Sequence, residues 1–133
     1  MARQEVVEAV RDRLGAEWSH CPVIEMNRQG EAPEDGSAFL MVQYPVTTQR
    51  RLSVGTPYYR EEGGIRFVLN MQRGEGVDTA LQWAGELADL FRYVTFDEVH
   101  GREASSPNLD DSNDMGNYFV VTVVVEYYFD FVD

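Results

Sequence analysis

The chain has 133 residues, 44% of them hydrophobic and 12% aromatic, with 23 acidic side chains against 11 basic ones and a formal net charge of −12. That length and apolar content fit one folded domain spanning residues 1–133 and exclude a disordered polymer. Every basic residue is an arginine, and the acidic excess disfavours wrapping nucleic acid, because affinity for phosphates comes from cationic side chains.

Charges at Arg3, Glu5, Glu8 and Arg11 leave no apolar core of signal-peptide length, so a soluble, unexported protein is expected. Residues 3–18 read as a helix: Val6, Val10, Leu14 and Trp18 recur at steps of four, with Val7 widening the stripe. Gly15 is a candidate for an early C-terminal stop. Cys21 is the only cysteine, which excludes an internal disulfide and makes a reduced cytosolic setting the expectation. A short strand is predicted at Val23–Met26, then a loop over 27–37. Ala38–Val46 is apolar on both parities, which suits a strand covered on both faces or one lying at a subunit contact. Gln49–Val54 is a weaker strand carrying Arg50 and Arg51. Gly55–Pro57 and Glu61–Gly64 bracket Tyr58, Tyr59 and Arg60, in the manner of a wide hairpin loop. Ile65, Phe67, Leu69 and Met71 alternate with Arg66, Val68, Asn70 and Gln72, a half-buried strand.

Gly74 and Gly76 then turn the chain into a second helix over 78–92, where Thr79–Gln82 has capping-box form. Its apolar stripe is Ala80, Ala84, Leu87 and Phe91, and Gly85 in its middle predicts a close crossing. Short strands are predicted at Phe96–His100 and 102–104, followed by an acidic loop, Ser105–Asn117. The final stretch, Tyr118–Val132, has an apolar odd face (Phe119, Val121, Val123, Val125, Tyr127, Phe129, Phe131), while Thr122, Glu126 and Asp130 lie on the even one. This is an amphipathic strand of about 50 Å, which must either bend or reach another subunit. Its longest apolar run is far below the roughly 20 residues of a membrane helix, so no membrane partner is expected. The elements add up to an α+β fold, with two helices packed on one face of a mostly antiparallel sheet.

Chemistry is poorly represented. Residues 73–79 lie where a nucleotide-binding glycine loop would sit, but Thr79 replaces the third glycine and Glu75 would oppose a pyrophosphate, leaving a tight turn. Asp97, Glu98, His100 and Glu103 lack a second histidine and read as a solvated acidic edge rather than a metal site. Asp110–Asp114 resembles half a calcium loop without its bidentate glutamate. Cys21 precedes a proline and has only His20 and His100 as candidate bases, and no nucleophile elbow occurs. Neither enzymatic activity nor any cofactor or metal is expected. What exceeds an ordinary monomer is the supply of tyrosines (Tyr44, Tyr58, Tyr59, Tyr118, Tyr127 and Tyr128) beside Arg50, Arg51 and Arg60, residue types enriched at protein interfaces. The same tyrosines could equally complete a small core with their hydroxyls in water.

The order of these pieces resembles the tail terminator family of long-tailed phages and phage-derived gene transfer particles. The resemblance is carried by the N-terminal helix ending Arg13-Leu14, the strand with Phe39, and Tyr58-Tyr59-Arg60. It continues through the Glu62–Gly64 turn into Ile65–Gln72, Arg73–Gly76 opening helix 80–92, and the aromatic terminal strand. It implies a homohexameric ring that caps the finished tail tube, stops its growth and offers a joining surface to the head. Implied partners are the major tail tube protein and a head-tail connector or stopper protein, with DNA passing through the lumen unbound. Implied locations are the host cytoplasm during assembly and then the head-proximal end of the tail. A closed ring needs two different complementary patches per subunit. Arg50, Arg51, Tyr58, Tyr59 and Arg60 are expected on one, and Asp110, Asp111 and Asp114 on the other. The alternative is a small non-enzymatic module binding a ligand or peptide between sheet and helices.

Overall fold

Two strands of 15 residues each, β4 (Tyr58–Gln72) and β8 (Tyr118–Val132), run antiparallel along their whole length, from Tyr58↔Val132 to Gln72↔Tyr118. The computed structural model describes residues 2–25, 37–72, 77–110 and 118–132. The predicted glycine turn 73–76, most of loop 27–37, and residues 111–117 with Asp111 and Asp114 lie outside the described residues. The remaining elements are α1 (Gln4–Glu17), β1 (Val23–Glu25), β2 (Phe39–Gln43), β3 (Thr47–Arg51), α2 (Val77–Phe91), β5 (Thr95–Phe96), β6 (Val99–Ala104) and β7 (Asn108–Asp110). Each long strand has an interrupted partner on its outer side. β2 and β3 follow one another along β4, and β6 and β7 follow one another along β8. β1, parallel to β2, and β5 form the two margins of the sheet.

The odd positions of both long strands face the same way because the register pairs odd with odd. Ile65, Phe67, Leu69 and Met71 join Phe119, Val121, Val123, Val125, Tyr127 and Phe129 beneath Val6, Val10 and Leu14 of α1 and Ala80, Ala84, Leu87 and Phe91 of α2. Two helices therefore cover one face of a mostly antiparallel sheet, the expected α+β layer. The Arg13 guanidinium donates to the Leu90 carbonyl at 2.6 Å, satisfying one of the orphan acceptors at the end of α2 and fixing the helices to each other. Just past the C-terminus of α1, Trp18 and His20 make a second contact with the middle of α2, with His20 stacked on Trp83 at 4.8 Å and paired with Glu86.

Several local expectations are corrected. The stretch Tyr58–Gly64 is no loop; it is the first half of β4, so the long terminal strand finds an equally long partner inside its own chain. Phe96–His100 is not one strand: it is a tight hairpin, in which Asp97 and Glu98 both take positive φ (46° and 68°) between the paired Phe96 and Val99, the type I′ arrangement. α1 runs through Gly15 to Glu17, and α2 begins at Val77, which places Thr79 within its first turn. Gly85 marks no close crossing, since a Cβ there would meet nothing within 4 Å.

Candidate interaction surface

No described element covers the face of the sheet opposite the helices, and the even positions of β4 and β8 point to it. Near the β3 end, Tyr128 lies flat against His100 (4.5 Å between ring centroids, 13° between planes), with the Arg60 and Arg102 guanidinium groups 4.3 and 4.5 Å from its ring. Arg60 grips Asp130 through two hydrogen bonds of 2.7 and 3.0 Å, a fork-to-carboxylate geometry. That pairing holds the Asp130 carboxyl below its usual range and raises Arg60 further. Glu62 lies between Arg50 (3.1 Å) and Arg102 (3.6 Å). These carboxylates answer a local conflict: the register sets Arg50 directly across from Arg60, and like charges opposed in a ladder repel.

Arg51 falls on the other parity. Its Nε donates to the Ser53 carbonyl and its Nη2 to the Gly55 carbonyl, both at 2.8 Å. With Ser53 Oγ on the Thr56 carbonyl and Leu52 N–H on the Tyr58 carbonyl, these bonds close the β3–β4 connection into an ordered tip. Val54 stands at its apex, 97% exposed. Tyr59 stacks on Phe131 at 5.5 Å, and the Arg3 guanidinium covers the same phenylalanine at 3.9 Å, while Tyr58 remains exposed. Of the aromatic–arginine set, Arg60 and Tyr59 thus have firm partners within the chain, Tyr58 is 38% exposed and reaches Asp130, and Arg50 is mostly in solvent. Asp110 lies in β7 opposite Val120, ten positions along β8 from the Asp130 that Arg60 grips. At about 3.3 Å per residue the two regions are separated by about 33 Å.

The base of the arm is fixed by a buried acid. Glu61 is 0% exposed and accepts the Tyr127 hydroxyl at 2.8 Å, the Gln49 amide at 3.0 Å and the Arg3 backbone N–H at 3.3 Å. Arg3 is the N-cap of α1, so the carboxyl group also sits where the helix dipole favours negative charge. Burial first, then the Glu61 hydrogen bond and charge, push the Tyr127 phenol far above its ordinary range, so it remains a donor. Just beyond, Gly64 leaves the helix-free face of the strand bare, and an open groove of about 400 Å³ forms there between Pro45-Val46 and Arg102.

Sequence reasoning weighs Tyr128 as an interface residue but misses Glu62, Arg102, Asp130 and the groove. Glu62 and Asp130 share even parity along β4 and β8, one of which reads from the sequence as starting only at Ile65, and Arg102 joins them from β6. The residues weighed for metal binding do not converge: Asp97 and Glu98 occupy the tip of the β5–β6 hairpin, while His100 stacks on Tyr128. Among the described residues no group of three candidate ligands comes together, and no helix is long and apolar enough to cross a membrane. Burial pushes the Cys21 thiol above its usual value, the reverse of what a nucleophile requires.

Comparison with known proteins bears on this surface. No curated protein matches the chain. Twelve chains of solved structures do. One of them, titled only by a sequence label, shares 22% identity, covers 100% of this chain and 99% of its own, and superimposes with a TM-score of 0.65, a likeness of fold. The model of a family described as phage tail terminator protein matches residues 5–127, which takes in both helices, the hairpin arm and β8 as far as Tyr127. The chain therefore belongs to the phage tail terminator family, and its role is a structural one in the phage tail.

Proposed function

We propose that this chain forms a closed homohexameric ring that caps the finished tail tube, halts its polymerisation and offers the surface to which the head is joined. The family match over residues 5–127 carries this reading. The described surface supports it: an ordered arm extends past the helices, and an uncovered sheet face lies on the same subunit. Two such unlike patches are what a head-to-tail ring requires. In this reading Arg50, Arg51, Tyr58, Tyr59 and Arg60, drawn from both faces of the arm, contribute one contact, and Asp110, with Asp111 and Asp114 beyond the described residues, contributes the other. The separation of about 33 Å between Arg60 and Asp110 along the ribbon is too long for contact within a subunit and suits contact between neighbours. The subunit works by binding, with the tube protein below and a connector or stopper protein above. It assembles in the host cytoplasm and ends at the head-proximal end of the tail. Six copies at −12 each give a strongly negative ring, through which DNA passes without adhering.

The test is tube growth. Tube protein polymerised with this chain present should give tubes that stop lengthening and carry one ring at one end in negative-stain images. Tubes that keep growing at the rate seen without it would refute the capping role.

A further inference from the structure

Building on the ring reading, we infer that the β3–β4 tip, Leu52–Pro57, inserts into the glycine-floored groove of the neighbouring copy. The tip is a preformed ligand. Its backbone is closed by Arg51, Ser53 and Leu52 without help from the rest of the fold, so docking loses little conformational entropy. It presents Val54, 97% exposed, with Leu52 and Tyr58 beside it. The groove is complementary in shape. Gly64 lowers its floor to the backbone, and Pro45 and Val46, the latter 66% exposed, make an apolar wall.

Charge selects a second copy as the occupant. Subunits carrying −12 each repel wherever acidic surfaces meet, so they can approach only through neutral or balanced patches. The tip meets that condition, with no charged residue from Leu52 to Tyr59. The groove meets it too, with Arg66 and Arg102 set against Glu62 and Glu126. Contact within one chain is excluded by the strand itself, since the run from Tyr58 to Gly64 holds the tip about 20 Å away along β4.

Disulfide trapping tests this. Val54→Cys and Val46→Cys are made separately in a Cys21→Ser background, mixed at tube ends and oxidised, with the mass of the assembly read in parallel by light scattering. The expected result is a mixed dimer, bridged from position 54 of one copy to position 46 of the next, at least tenfold above either like pair. A ladder reaching six copies is expected when both changes share one chain. Val54→Asp should weaken association at least tenfold while leaving thermal unfolding unchanged, because Val54 is almost wholly in solvent. Hexamers without preferential trapping, a cross-link from position 54 to the tube protein instead, or unimpaired assembly of Val54→Asp would each overturn the tip-in-groove contact and leave the ring standing. Absence of any oligomer at tube ends would overturn both.

Discussion

Glu61 shows how a single side chain ties sequence to architecture. A carboxyl group with no exposed surface is tolerated because three donors from three different elements converge on it, the Tyr127 hydroxyl, the Gln49 amide and the Arg3 N–H. Removing the acceptor leaves buried donors unsatisfied, at about 1–3 kcal/mol each. Glu61→Ala should therefore lose about 2–4 kcal/mol of stability in urea unfolding, while Glu61→Gln, which keeps an acceptor oxygen, should lose about half as much. Equal stability of Glu61→Ala and the natural protein would show that the network contributes nothing. Asp130 gives a pH-dependent counterpart. Arg60 lowers its folded pKa below the ordinary 3.8, so the stabilisation is complete above that value and disappears as pH falls through the lower folded one. Glu5, lowered by a backbone hydrogen bond and Arg3, titrates in the same acid window. Asp130→Asn should flatten the slope of stability against pH below about pH 4 without abolishing it.

At the scale of elements, the two long strands differ greatly in how readable they are. β8 announces itself because its odd positions are apolar in unbroken succession from Phe119 to Phe131. β4 does not, because its first half places an acid and two glycines where the alternation should continue. Those residues fit a strand only once α1 and Tyr127 supply partners for Glu61 and the neighbouring strands come close. A Cβ at Gly63 would sit 2.7 Å from the Val46 carbonyl oxygen. Such long-range reasons have no local pattern, and the same holds for Asp97-Glu98, a type I′ turn without the usual glycine or asparagine. The side chains proposed for the interface are half legible: their residue types stand out, but which face each occupies follows from the register of β4. The glycines divide by the same logic. At Gly101 a Cβ would lie 1.8 Å from the Phe91 carbonyl oxygen, because β6 passes directly under the end of α2. Gly101→Ala should cost at least about 3 kcal/mol or prevent folding, since backbone on both sides must move. Gly85 faces open space inside a helix, so Gly85→Ala should stabilise by about 0.5–1 kcal/mol. Thermal melting of the two variants should move in opposite directions.

For the molecule as a whole, the distribution of cover is the main fact. The helices shield the sheet from Met71 to Glu61 and stop, leaving the arm and Val132, 63% exposed, beyond the core. Among the described residues the opposite face has no second layer; its β3 end carries ion pairs and aromatic–cation contacts, while Phe39, Met41, Val68, Val120 and Val124 make it apolar toward β2 and β7. A monomer would gain nothing from an ordered arm with a bare valine at its apex, whereas a ring subunit would gain its joint. The proposed hexamer at the end of the tube is tested by the mass of the purified protein in light scattering, alone and after mixing with its tail tube protein. Six times the 15.2 kDa chain mass, in solution or recruited at tube ends, is the predicted result. A monomer or dimer that ignores the tube at every concentration would contradict it.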